Sequence, residues 1–189
     1  MKFLLAALSL SFCLPAFATW SEDFAALKDI PRSYEDAGAI CEEVARLDFK
    51  KDYPAPQYDV AVGIAYGDGQ RTIGELDVIV FDNNTHKAVR VAEVKCWKNM
   101  SGGLNKALDQ RARFLKNIRS GKKIVLESTS SHKVYDQEAF EYVEDFITVG
   151  QKGSLKEGYD QELNYTLKEL HQYSVEMIRC QNQGQCARP

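Results

Sequence analysis

The sequence is poor in histidine. Only three occur in 189 residues, His86, His132 and His171, and they are scattered. A histidine-centred metal hydrolase would need one of them in a motif. His86 falls instead in a turn, His132 after a serine-rich stretch and His171 on a helix, and all three read as surface residues. No C-x-x-C is present and the histidines are scattered, so a zinc site is a weak rival to paired cysteines. No G-x-S-x-G is present either, and the nucleophile elbow of the serine hydrolases goes with it. After residue 18 no apolar run is long enough to form a membrane-spanning helix. There is no internal repeat and no low-complexity tract.

What is there begins with MKFLLAALSLSFCLPAFA. Lys2 supplies a positive start, residues 3–14 an apolar stretch too short to span a bilayer, and Ala16-Phe17-Ala18 a small-x-small cleavage pattern. Residues 1–18 are therefore expected to be a secretory signal peptide, with a mature chain from Thr19 in the periplasm or secreted. Phe12 before Cys13 argues against a lipoprotein anchor. Four cysteines follow, Cys41, Cys96, Cys180 and Cys186. An even number in an exported chain points to two disulfides, for which three pairings exist. Cys180 and Cys186 enclose the short loop QNQGQ and are expected to pair, which leaves Cys41 for Cys96.

Charge is unevenly distributed. Residues 19–84 hold six Lys/Arg against fourteen Asp/Glu, and residues 124–189 six against eleven, while residues 85–123 hold eleven against two. One basic segment in an acidic chain is a candidate footprint for a polyanion, against the plain alternative of a solvated helix face.

Hydrophobic spacing predicts the elements. A helix opens at Ser33, capped by that residue, with Ala37, Ile40, Cys41, Val44 and Leu47 as its buried stripe and Glu43 at the stripe's edge. Strands follow over 58–66, 72–81 and 88–96 as an antiparallel meander. Ser101-Gly102-Gly103 reads as a break before a helix whose stripe is Leu104, Leu108, Leu115 and Ile118. A fourth strand over 123–128, a helix over 136–146, a short strand over 147–149 and a helix over 159–178 complete the chain. The expected class is α/β, a sheet sandwiched between helices.

The hairpin GELDVIVFDNNTHKAVRVAEVK carries charges where valines would pack better. Alternation puts Glu75, Asp77 and Ile79 on one face of its first strand and Val91, Glu93 and Lys95 on one face of the second. In a suitable register Asp77 and Glu93 converge beside Lys95. Two adjacent carboxylates repel and need a proton or cation between them. A hard divalent ion suits such ligands and can activate water against a phosphoryl group. E-x-K alone is common. The informative pattern is D in one strand, E-x-K in the next, then a basic helix.

G-E-L-D-V-I-V followed by V-A-E-V-K resembles the PD-(D/E)xK nuclease superfamily, in the look of its Holliday-junction-resolvase-like and small RecB-type branches. The resemblance spans about residues 33–128, and Leu76 stands where the superfamily's name has proline. It implies a restriction-endonuclease-like αβββαβ core, a central mixed sheet flanked by helices, in a domain over 19–158. A C-terminal helix and disulfide loop over 159–189 would pack on the same domain. It implies Asp77 and Glu93 as ligands of Mg²⁺ (or Mn²⁺), the carbonyl of Val94 as a third ligand, and Lys95 as the catalytic lysine. Helix phase selects Glu43 over Glu42 as the glutamate of the first helix, and Gln110 matches a polar position after E-x-K. Lys98, Lys106, Arg113 and Lys116 are the expected phosphate contacts. The implied activity is hydrolysis of phosphodiester bonds in nucleic acid, DNA before RNA and endonucleolytic before exonucleolytic. Many members dimerise, but the sequence carries no interface signature. The alternative is a nuclease-fold protein without catalysis, acting as a binding or interaction module.

Overall fold

The computed structural model describes residues 19–36, 38–143 and 145–189. The proposed signal peptide lies outside the described residues. Within them no helix is long and apolar enough to cross a membrane.

A seven-stranded mixed sheet is flanked by helices on both faces. The strands are β1 (Tyr58–Gly67), β2 (Thr72–Asp82), β3 (Lys87–Lys95), β4 (Val125–Ser128), β5 (Val134–Tyr135), β6 (Asp145–Gly150) and β7 (Gln161–Glu162). Their spatial order is β5-β4-β1-β2-β3-β6-β7. The expected meander is present, with β1, β2 and β3 antiparallel. The helices are α1 (Trp20–Leu27), α2 (Ala39–Asp52), α3 (Met100–Ile118) and α4 (Leu167–Asn182). One half of the core joins α1, α2 and α4 to one sheet face through Leu27, Ile40, Val44, Phe49, Leu170 and Met177. The other packs Phe114 and Ile118 of α3 with Phe140, Val143 and Phe146 on the opposite face. Two disulfides, Cys41–Cys96 and Cys180–Cys186, follow the expected pairing.

Several expectations are corrected, each by tertiary contact. The helix with Cys41 starts at Ala39, and Ser33 does not cap it. Residues 32–34 run extended along α4, where the carbonyls of Arg32 and Tyr34 accept from Gln181 and Ser174 and the Tyr34 ring is fully buried. Ser101-Gly102-Gly103 is no break. Asn99 caps α3 by accepting the Gly102 N–H, so the glycines lie in its first turn. Gly103 is needed for close packing: a Cβ there would lie 2.5 Å from the Tyr159 hydroxyl. The buried stripe of α3 is Gly103, Ala107, Phe114 and Ile118, while Leu108 is 44% exposed.

The strand expected over 123–128 shortens to β4 and pairs with β1 on the side away from β2, between β1 and β5. The strand lying parallel beside β3 is β6. Where a helix is expected over 136–146, the described residues hold a single 3-10 turn, Gln137–Ala139, ahead of β6. Arg90 on β3 holds Asp145 at 2.6 Å, which draws the segment into the sheet. The helix expected from residue 159 starts at Leu167, because Asp160 accepts from both the N–H and hydroxyl of Thr148 and Gln161–Glu162 pairs beside β6. Thr166 and Glu169 form a capping box there. Helix α1 is additional to the expected elements; its Trp20 stacks on Tyr173 of α4 with ring centroids 3.9 Å apart.

One irregularity positions the candidate site. Val62 and Ile64 are two residues apart on β1 yet sit in opposite halves of the core, and so do their partners Val78 and Leu76 on β2. Regular alternation forbids this. The switch occurs at Gly63, whose φ is +69°, opposite Asp77. Glycine adopts this backbone without strain, and a Cβ there would meet the Thr129 hydroxyl at 2.4 Å.

Candidate active site

Beyond the pair Val78 and Ala92, β2 has no further partner on β3 and continues with β1 alone. Asp77 stands at this parting. Its Oδ2 accepts the Val94 N–H at 2.7 Å and pairs with the Lys95 ammonium. The carboxylate thus takes the place of a ladder partner, which explains why an acid is tolerated here: a buried N–H needs an acceptor.

Glu93 comes from β3 beside it and is 1% exposed. Its Oε2 lies 3.5 Å from the Lys95 Nζ, and its buried Oε1 has no partner among the described residues. Burial, and after it the charge of Asp77, raises the Glu93 pKa well above the ordinary carboxylate range. Burial alone would lower the Lys95 pKa, but Asp77 and Glu93 outweigh it and hold the ammonium above its usual value. Lys95 also donates to the Val94 carbonyl at 3.1 Å. Asp77, Glu93 and Lys95 therefore meet at one place, as a suitable register of the hairpin would bring them, and the Val94 carbonyl lies beside them.

On α2 the structure brings Glu42, not Glu43, toward this centre. Glu43 is buried in an ion pair with Arg46 at 2.6 Å. Glu42 pairs with Arg32, and burial followed by the Asp77 charge pushes its pKa up to about 7. Helix phase favours Glu43 because it treats the whole buried stripe as one face and leaves Arg46 out. Regular alternation would set Glu75 beside Asp77 on one face. It instead lies across the switch, near Arg32 and Thr129, with its pKa raised by burial and then by Asp77. An open cavity of about 830 Å³ borders Glu42 and Glu75, lined also by Arg32, Ser33, Thr129 and His132.

On the other face, Gln110 lies along the α3 stripe with its Oε1 buried and unpartnered. Tyr66 feels both Arg113 and Glu93, and burial is the main cause that pushes its hydroxyl pKa up to about 12. Arg113 therefore borders the site. Lys98, Lys106, Arg113 and Lys116 are all exposed, and none is ion-paired among the described residues. The Lys106→Ala/Arg113→Ala/Lys116→Ala triple variant is expected to weaken binding equally on all nucleic-acid sequences. It should also flatten log K against log salt by about one unit for each phosphate no longer neutralised. Filter-binding titrations at several salt concentrations read both, and an unchanged slope would make this a merely solvated face.

Among the described residues no group of three or more His, Cys, Asp or Glu side chains is placed to hold a metal ion by itself. Any ion must therefore use fewer side chains and complete its shell with carbonyl, water or substrate oxygens, as Mg²⁺ commonly does. The unpartnered Glu93 Oε1, a second carboxylate on Asp77 and the Val94 carbonyl are hard oxygen donors of that type. No family model, no curated protein and no solved structure matches the chain.

Proposed function

We propose that the protein is an exported nuclease of the PD-(D/E)xK type, hydrolysing phosphodiester bonds in nucleic acid, with DNA favoured over RNA. The observation that carries the reading is the meeting of Asp77, Glu93 and Lys95 at the point where β2 and β3 part, with one Glu93 oxygen buried and unpartnered. An unsatisfied buried acceptor is destabilising, so an oxygen left open beside Asp77 and Lys95 fits a site that a ligand completes. The order α2, β1, β2, β3, α3 followed by a strand beside β3 supports a restriction-endonuclease-like core, with β6 as its last strand. Two disulfides fit a chain that works in an oxidising compartment, the periplasm or the medium.

Asp77 and Glu93 would hold Mg²⁺, or Mn²⁺ in its place, with the Val94 carbonyl as a further ligand and Glu42 at the edge. Bound there, the ion would supply an activated water and a Lewis acid for the phosphoryl oxygen. Lys95 stays protonated and donates hydrogen bonds. With the carboxylates engaged, its ammonium is free to orient the water or to meet charge developing on the phosphate. Asp77 keeps the Val94 amide in place through its Oδ2. Gln110 and Arg113 offer further polar contacts from α3.

The test incubates the oxidised protein with plasmid, linear duplex, single strands and RNA, with Mg²⁺ or chelator. Cleavage with Mg²⁺ alone, lost in Lys95→Ala, is the expected result. No cleavage of any substrate, with no Mg²⁺-dependent shift in melting, would leave a non-catalytic module of the same fold.

A further inference from the structure

Trp97 is 45% exposed, two residues beyond Lys95. Leaving an indole half in water forgoes burial of a large apolar surface, and the position is not a loose loop. Cys96 before it is tied to Cys41 on α2, and the Trp97 carbonyl accepts from the buried Gln151 at 2.9 Å. The backbone is therefore fixed on both sides of an exposed ring. Direction is fixed too. A Cβ built on Gly103 of α3 would lie 3.4 Å from the Lys95 Cβ and 3.5 Å from the Trp97 Cβ. Both side chains thus leave the chain against the same glycine, so the indole stands on the Lys95 side of the sheet. Lys98 follows, exposed.

We propose that Trp97 is a substrate-positioning residue that stacks on an unpaired nucleobase next to the scissile phosphate, so that single-stranded or locally unpaired nucleic acid is the preferred substrate. The inference rests on the nuclease reading for its consequence but not for its binding step. A rigid, half-exposed aromatic ring flanked by a lysine is the arrangement by which proteins hold single strands: the ring takes a base face and the cation its phosphate. Every base has such a face, so the contact carries little sequence preference. In a duplex both faces of each base are already stacked and the indole has nothing to bind. Gly103 contributes by leaving room beside the indole at the start of α3.

Fluorescence of the oxidised protein in chelator, where no cleavage competes, tests the binding step. Short oligothymidylate is titrated in, and then the same strand annealed to oligoadenylate. Quenching by the single strand alone, lost in Trp97→Phe while Trp20 remains, is expected. In Mg²⁺, Trp97→Ala should raise KM on single strands by about 10-fold, with the loss falling in KM rather than kcat, and Trp97→Phe should restore part of it. No quenching, or equal quenching by the duplex, overturns the proposal whether or not the protein cleaves. Quenching without cleavage in Mg²⁺ upholds the stacking contact and sinks the hydrolytic reading instead.

Discussion

Glu93→Gln is expected to abolish Mg²⁺-dependent cleavage and, in chelator at pH 8, to raise the melting temperature. The two effects share one cause. Glu93 is buried beside Asp77, and folding raises its pKa from the ordinary 4.5. A carboxyl whose folded pKa is raised stabilises the fold while it stays protonated, below its unfolded pKa. That contribution is lost as pH rises through the folded value. The same holds for Glu42, whose folded value is about 7. Above a group's folded value the ion-free protein carries that charge at full disadvantage, about 1.4 kcal/mol for each tenfold rise in the carboxylate's proton affinity on folding. Glutamine keeps the shape and removes one charge, so each such increment relieved should raise Tm by about 3–6 °C at this size. At pH 4 both proteins carry a neutral group and their melts should converge. Mg²⁺ should reverse the order at pH 8, because an ion at one hundred times its Kd adds about 2.7 kcal/mol to wild type alone. Activity should fall by more than the 10- to 100-fold typical of groups that only orient a ligand.

The three charged residues are not equivalent, and that sharpens the test. Asp77 accepts the Val94 N–H and the Lys95 ammonium, so Asp77→Ala orphans a buried donor and a buried cation and should melt lower than wild type in chelator. Lys95→Ala leaves two facing carboxylates without their cation and should also melt lower, by about 3 kcal/mol or more. Only Glu93, with its unpartnered oxygen, should show stability gained as activity is lost. If Glu93→Gln melts lower in chelator and Mg²⁺ leaves wild type unmoved, the acid is structural and the metal site is absent.

The centre of the fold was legible because it is dictated locally. The meander follows from β-branched alternation with turn residues at Gly67-Asp68-Gly69 and Asp82-Asn83-Asn84, and its β2–β3 register runs to Val78 and Ala92, one step short of Asp77 and Glu93. The disulfides were legible because the Cys180–Cys186 loop is short and leaves one other pair. What failed was set by distant contacts. Tyr34 is buried against α4, so a plausible capping serine at residue 33 stays extended. Gly103 reads as a breaker, yet it is a contact surface for Lys95, Trp97 and Tyr159. The switch at Gly63, which separates Glu75 from Asp77, leaves no periodic trace, since a lone glycine in a strand marks a bulge or close approach without saying which. The signal for Glu42 was Arg46, three residues beyond Glu43 and able to occupy it. The capping box Thr166-x-x-Glu169 was present in the sequence and marks the true start of α4.

Reduction of the Cys41–Cys96 bond is expected to silence the protein before it unfolds it. The bond closes a span of 55 residues, against 6 for Cys180–Cys186. By loop-closure entropy these are worth about 4 and about 2 kcal/mol respectively. The larger effect on Tm should therefore follow Cys41→Ser/Cys96→Ser, a drop of roughly 8–16 °C. Placement adds a functional consequence. Cys41 immediately precedes Glu42 and Cys96 immediately follows Lys95, so the bond fixes the acid of α2 against the lysine of β3. Without it α2 is held only by packing, and small displacements at a site built from separate elements reduce turnover steeply. The double variant, assayed well below its own melting point, should keep its circular dichroism and lose most Mg²⁺-dependent cleavage, while Cys180→Ser/Cys186→Ser keeps most of it. A folded protein lacking the first bond yet cleaving at the wild-type rate would show that the bond serves stability alone.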